Sequence, residues 1–171
     1  EDVLTIDPGL AFGSGFHDTT CLCVQYLEEA VRPGDVVFDI GTGTGILAIA
    51  SAKLGAAHVA AVDFDSAAVA QARVNAALNG VEDRMAIANS DLLTAIPKGQ
   101  QADVIVANLV TNAVLALLPA VGPYLKDGGT LIVSGIIDDR IDDVRQAAEE
   151  AGFNWADEQL RSGWYAVTLT R

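Results

Sequence analysis

The chain has 171 residues, enough for one domain with a real core, and 23 acidic against 10 basic residues give a net charge of −13. The basic residues are scattered from Arg32 to Arg171 without forming a stripe, which argues against nucleic acid as a direct partner. Hydrophobic residues make up 51%, yet charges and glycines break every apolar run before the roughly 18 residues of a membrane span, so no membrane partner is expected.

The opening, Leu4 to Thr20, is rich in turn formers but also carries Leu10, Phe12 and Phe16. The given sequence, which begins Glu1-Asp2-Val3-Leu4, does not open on a secretory h-region. Asp18 and Thr19 are caps for a helix reaching about Ala30, with Leu22, Tyr26 and Leu27 on one side, and Arg32-Pro33-Gly34 ends it. Cys21 and Cys23 lie two apart on that helix and point to different faces. Their spacing fits neither a zinc set nor a disulfide framework; two free, buried thiols suit a reducing cytoplasm, and no metal is expected. His17, among glycines and threonines, is expected to serve loop structure rather than act as a base, and His58 starts a strand.

Val36-Val37-Phe38-Asp39-Ile40 reads as a buried strand running into Gly41-Thr42-Gly43-Thr44-Gly45 and then a helix from Ile46 to Leu54, closed by Gly55. A strand, a glycine turn and a helix N-terminus in that order form a nucleotide-binding corner. A dinucleotide fingerprint would need its third glycine where Ile46 stands, so that spacing fails. Asp39 is a carboxylate where a buried strand should be apolar; it can fix the loop by accepting amide N–H groups or face a cationic ligand. The next strand, His58 to Val62, ends in Asp63, placed to accept the hydroxyls of a ribose. A D-x-G-x-G-x-G turn with a later strand-end acid resembles the corner of S-adenosylmethionine-dependent methyltransferases.

Ser66 is the expected N-cap of a helix from Ala67 to Leu78, closed by Asn79-Gly80. Strands follow at Met85–Asn89, with Asp91 just beyond, and at Val104–Ala107, ending in Asn108. A helix from about Asn112 is expected to be interrupted at Pro119. Gly128-Gly129 precedes a strand at Thr130–Val133, and an acid-rich helix spans Asp139 to Ala151. Phe153–Leu160 and Trp164–Thr170 form a final hairpin. Alternating strands and helices imply a doubly wound α/β domain with a mostly parallel sheet. With an antiparallel last strand, that pattern resembles the seven-stranded, Rossmann-like class I methyltransferase fold.

Ligands of such sheets bind beyond the carboxyl ends of the strands, which here carry Asp39, Gly41, Gly43, Asp63, Asp91, Asn108 and Ser134. Asp91, or the backbone of Ser90 and Leu92, can bond an adenine amino group. Methyl transfer from a sulfonium needs a neutral nitrogen lone pair aimed at the methyl carbon, so the protein mainly aligns. The Asn108 side-chain oxygen and nearby carbonyls can hold the N–H groups of an amine, which makes Asn108 the candidate catalytic residue.

Ile6-Asp7-Pro8-Gly9-Leu10-Ala11-Phe12-Gly13-Ser14-Gly15-Phe16-His17-Asp18-Thr19-Thr20 resembles the cofactor-covering loop of the PrmA family, bacterial methyltransferases of ribosomal protein L11. The glycine corner, Asn75 with Asn79-Gly80-Val81, Val106-Ala107-Asn108-Leu109 and Ser134-Gly135-Ile136 are similar too. The resemblance implies S-adenosyl-L-methionine as cofactor. It implies methylation of lysine ε-amines and an N-terminal α-amine on a lysine-rich, cationic ribosomal protein. It implies cofactor contacts at Thr20, Gly41, Asp63 and Asn108, with Phe12, Gly13 and His17 in a loop closing over the cofactor. Ser14 and Phe16 stand where the family usually has threonines. The whole chain, 1–171, would be the catalytic domain, with residues 1–31 forming covering loop and leading helix, and without the family's N-terminal substrate-recognition domain. Another protein or a small amine as substrate, an NAD-dependent oxidoreductase and a non-catalytic binding module are the competing readings.

Overall fold

The structure, a computed structural model, describes residues 18–171. Seven strands form one sheet: β1 (Val36–Ile40), β2 (His58–Asp63), β3 (Met85–Asn89), β4 (Ala102–Asn108), β5 (Leu125–Ile137), β6 (Asn154–Arg161) and β7 (Trp164–Thr170). Five helices cover it: α1 (Asp18–Ala30), α2 (Ile46–Lys53), α3 (Ser66–Leu78), α4 (Thr111–Val121) and α5 (Ile141–Glu150). The strand order is β3-β2-β1-β4-β5-β7-β6. The first five strands are parallel, and β7 runs antiparallel between β5 and β6. This is the doubly wound architecture expected from the sequence.

The period-2 geometry of a strand sends neighbouring side chains to opposite faces, and β1 shows it directly. Phe38 and Ile40 join Ile105, Leu131 and Val133 under α4 and α5. Val37 joins Val104, Val106 and Ile132 on the other face, where Leu22, Cys23, Tyr26 and Leu27 of α1 and Leu47, Ala48 and Ile49 of α2 pack. Both faces are thus buried, as near-continuous apolar strands require. Parallel pairing brings the carboxyl ends of β1 to β5 to one edge of the sheet, and that edge carries the site.

Several local expectations are corrected. Helix α4 runs unbroken through Pro119. Val114, Leu117, Leu118 and Val121 are all fully buried, and burying such side chains stabilises by roughly 1.5–3 kcal/mol each. Together they outweigh the ~3 kcal/mol of an interior proline. Strand β5 starts at Leu125, before the glycine pair, because Leu125 already pairs with Ala102 before the register shifts and resumes at Thr130 on Val104. The N-cap of α3 is Asp65, whose carboxylate accepts the Ala67 N–H at 2.9 Å, so Ser66 is already the first helical residue. Of the two thiols only Cys23 is buried; Cys21 is exposed on the outer face of α1.

Among the described residues no helix is long and apolar enough to cross a membrane. Ile105 in the central β4 is fully buried. Ile105→Ala is expected to lower the unfolding free energy by about 2–5 kcal/mol and Ile105→Val by about 0.5–1.5 kcal/mol, read from denaturant midpoints at constant slope.

Candidate functional site

Past Ile40 the chain turns through Gly41, Gly43 and Gly45 at φ of +80°, +57° and +87°, a left-handed sequence that side chains rarely adopt. The turn is pinned over the end of β2. Gly41 and Thr42 both donate to the Val62 carbonyl at 2.9 Å, and the Gly43 N–H donates to Asp63 Oδ2 at 2.9 Å. At Gly45 a Cβ would come within 3.2 Å of the Ala72 Cβ, so this glycine lets α2 start close against α3. Ile46 then opens the helix, which explains how the corner works without a glycine there.

Asp39 is completely buried beneath this turn. Its Oδ2 accepts the Thr42 hydroxyl at 2.7 Å. Its Oδ1 is the one buried side-chain polar atom among the described residues without a hydrogen-bond partner. Burial pushes its pKa up from 3.8 to about 7; the Thr42 hydroxyl opposes this, repulsion from Asp63 adds to it, and the Ala48 amide opposes it weakly.

Asp63 is half-buried at the tip of β2. Besides Gly43, it accepts the Asp65 N–H on Oδ1 at 2.9 Å. A carboxylate has about four acceptor positions, so both oxygens can still take hydroxyls. Phe64 follows with 81% of its surface exposed, an apolar ring standing at the strand ends. Beyond β3 the Ser90 hydroxyl donates to the Leu92 carbonyl at 2.6 Å and accepts the Ala95 N–H at 3.0 Å. This fixes a tight turn in which Leu92 takes a φ of +50°, leaving Asp91 exposed at its tip.

At the end of β4 the Asn108 Nδ2 donates to the Thr20 hydroxyl oxygen at 3.3 Å. That bond ties β4 to the first turn of α1 and leaves the Asn108 Oδ1 as an acceptor. Gly135, at φ +85° in the β5 bulge, lies against the same segment. A Cβ there would overlap the Leu109 carbonyl oxygen and come within 3.4 Å of the Asn108 Oδ1. A Cβ on Gly41 would likewise run into the Leu109 side chain. Ser134, expected at the strand ends, is instead fully buried and donates to the Tyr165 carbonyl at 3.3 Å. It also bonds Cys23, whose thiol burial pushes up to about 12.

The structure therefore gathers Thr20, Asp39, Gly41, Gly43, Asp63, Asp91 and Asn108 along one sheet edge and places Ser134 beneath it. Phe12, Gly13 and His17 lie outside the described residues. Sequence reasoning missed Phe64, whose signal was a bulky apolar residue directly after the strand-end acid, and it gave Leu109 and Gly135 no role of their own beyond the motifs that contain them. The segments at the five strand ends, 39–45, 63–65, 89–94, 108–111 and 134–138, contain no Lys, Arg or His. Such a site offers acceptors, amides and one aromatic ring. It suits a cationic ligand bearing hydroxyls rather than an anionic one.

The family model described as ribosomal protein L11 methyltransferase (PrmA) matches residues 1–171. A protein of Caldanaerobacter subterraneus subsp. tengcongensis with the name ribosomal protein L11 methyltransferase is 46% identical over 171 residues, all of this chain and 54% of that protein. The chain thus spans about half the length of the curated relatives it matches. The crystal structure of a ribosomal protein L11 methylase from Lactobacillus delbrueckii subsp. bulgaricus superposes with a TM-score of 0.89 at 38% identity, covering 98% of this chain and 84% of that one. A T. Thermophilus 16S rRNA methyltransferase in complex with AdoMet and guanosine shares the fold alone, at a TM-score of 0.78 and 20% identity, over 94% of this chain and 45% of that one.

Two outcomes follow from the geometry. Since the folded chain raises the Asp39 pKa from 3.8 to about 7, the fold favours its protonated form. Stability from this group is full below about pH 4 and is lost as pH rises through 7, by about 4 kcal/mol at the limit. Thermal unfolding of the ligand-free chain between pH 4 and 8 should show Asp39→Asn gaining on the unmutated chain as pH rises. Gly135→Ala should lower stability by more than about 1 kcal/mol through backbone strain alone, measured by chemical denaturation.

Proposed function

The chain belongs to the ribosomal protein L11 methyltransferase (PrmA) family, and from that premise we propose that its strand-end site binds S-adenosylmethionine and transfers the methyl group to amines of a ribosomal protein. The observation that carries the reading is the combination on one edge of Asp63, with open acceptor positions, and Asn108, with its amide oriented by Thr20. Asp63 would hold the ribose hydroxyls. Gly41 and Gly43 let backbone approach the donor where side chains would clash. Phe64 and the Ser90–Leu92 turn, with Asp91, would frame the adenine. Phe12, Gly13 and His17 would belong to a loop covering the donor, so residues 1–31 would act as lid and leading helix of a catalytic domain.

The buried, unpartnered Asp39 oxygen and the absence of cations at the strand ends fit a positively charged donor. When bound, the donor supplies a methyl carbon on sulfur that a nitrogen lone pair can displace. The rest is done by this chain. The Asn108 Oδ1 accepts an N–H of the incoming amine, and the Leu109 carbonyl beside Gly135 offers a second acceptor. Two acceptors fix the direction of the remaining lone pair, which is the alignment that an in-line displacement requires. Neither group needs to change protonation state.

Lysine ε-amines and an N-terminal α-amine of ribosomal protein L11 are the acceptors we assign, in keeping with the names of the relatives. The net charge of −13 suits a lysine-rich, cationic partner. A cytoplasmic setting goes with such a substrate.

Titration calorimetry with S-adenosylmethionine, with NAD as the control, tests the first step: heat with the methyl donor alone is expected, and its absence sinks the proposal. Asp63→Ala should raise the donor Kd by tenfold to hundredfold, in line with the roughly 1.5–3 kcal/mol of hydrogen bonds to a charged group. Asn108→Ala should leave much of the donor affinity while slowing transfer on the order of hundredfold, followed by mass spectrometry of L11 lysines and its N-terminus.

A further inference from the structure

Ribose binding and amine alignment involve neither oxygen of Asp39. It is fully buried, with Oδ2 on the Thr42 hydroxyl and Oδ1 unpartnered beneath the glycine turn. The groups that face it are neutral or negative. Asp63 on β2 repels it, Thr42 and the Ala48 amide in its own turn and helix offer only dipoles, and Cys23 on α1 stays a thiol. No cation stands among them. Among the described residues, a carboxylate in that setting lacks a counter-charge. The ligand proposed for the pocket carries one.

Resting on the reading of the pocket as a site for S-adenosylmethionine, we propose that Asp39 is a proton-exchanging counter-charge that distinguishes methyl donor from spent product. In the empty pocket the carboxyl holds a proton. Binding of the sulfonium expels that proton to solvent and leaves the carboxylate opposite a cation. In transfer the amine lone pair forms the new N–C bond as the S–C bond breaks, and the positive charge passes to the methylated nitrogen. The donor becomes a neutral thioether, the carboxylate loses its partner, and it takes a proton back from solvent as product leaves. The position of the Asp39 pKa, near 7 in the empty chain, sets the range in which this exchange operates.

The sign of the linkage follows. Below about pH 7 the donor must displace a proton, so its Kd should rise up to tenfold for each unit the pH falls, levelling off above neutrality. The thioether product, carrying no charge on sulfur, should show much less of this dependence. Donor affinity over product affinity therefore grows with pH and shrinks in acid.

The test is calorimetry of the chain at pH 6.5 with S-adenosylmethionine and with S-adenosylhomocysteine, each in buffers of different ionisation heat. The free ligands' α-amines, with an ordinary pKa near 8, stay protonated at that pH. The donor should release a measurable fraction of a proton per site, the product clearly fewer, and Asp39→Asn should abolish the difference. Donor binding without proton release, equal release for donor and product, or release that persists in Asp39→Asn would each overturn the proposal and leave cofactor binding standing. Absence of heat with both ligands would instead overturn the cofactor reading, and this inference with it. Should Asp39→Asn fail to fold, the carboxyl carbon resonance of Asp39 in the unmutated chain decides. It should report a protonated group at pH 6 in the empty chain and an ionised one with donor, and an ionised empty state would refute the exchange.

Discussion

A buried carboxylate near the end of β1 sets the geometry of everything above it. Asp39 takes the Thr42 hydroxyl, and this holds the left-handed turn from Gly41 to Gly45 in place over β2. The turn then donates the Gly43 N–H to Asp63, Asp63 takes the Asp65 N–H, and Asp65 caps α3 through Ala67. Three carboxylates in sequence thus connect the core strand, the glycine loop and the start of a helix. Asp39 does so through a side-chain hydroxyl, while Asp63 and Asp65 satisfy backbone N–H groups that would otherwise stand open at a loop or a helix terminus. The arrangement concentrates negative charge at one sheet edge, with no cation in the strand-end segments to balance it.

The opposite side of the site depends on close approach rather than charge. The β5 bulge turns Gly135 against the Leu109 carbonyl, and the Leu109 side chain closes on Gly41. Glycines from two different strand ends therefore meet one residue after Asn108. Only with both positions bare can the Asn108–Leu109 segment sit between β1 and β5 and present its acceptors outward. The Thr20 hydroxyl then decides which way the Asn108 amide points. Sheet register delivers the same result from below, since Asn108 pairs with Ser134 and the Leu109 N–H donates to the Ser134 carbonyl at 3.1 Å.

Much of this was legible in the sequence because it rests on local rules. Alternating strand and helix signals fixed the sheet type, and glycines at positions of positive φ marked the ends of α2 and α3 at Gly55 and Gly80. Asp39, Asp63 and Asn108 stood out as polar residues at the ends of apolar runs. What stayed hidden depends on tertiary contact. Pro119 looked like a break because a proline's cost is local, while the burial that overrides it comes from the sheet beneath α4. Ser66 and Asp65 are both good caps, and the choice was made by the Asp63 bond to the Asp65 N–H, which bends the chain before the helix. Ser134 shares the pattern of the site residues yet faces inward, because the bulge at Gly135 comes one residue later. The steric reason for Gly135 emerges only when Leu109 is beside it.

The charge pattern also bears on why amine methylation suits this site under the proposed reading. Transfer from a sulfonium creates no new charge; it moves one positive charge from sulfur to nitrogen. A protein assisting that reaction has no developing anion to stabilise, and cations near the donor would oppose binding. A lining of carbonyl, amide and carboxylate oxygens is enough, provided it is rigid. The structure braces that lining through Thr42 on Asp39, Thr20 on Asn108 and the close approach of the bare glycines to Leu109. The incoming nucleophile must nevertheless be an uncharged amine, while a lysine is ordinarily protonated at neutral pH. The acidic edge therefore works in two opposed senses. It attracts the ammonium form of the substrate and so raises its local concentration, but it also favours keeping that proton. A donor sulfonium bound beside the amine shifts the balance toward the neutral form by direct repulsion. Under that reading the order of events with least conflict is donor first, substrate second, because the loaded site would hold the cation that favours the neutral form of a lysine.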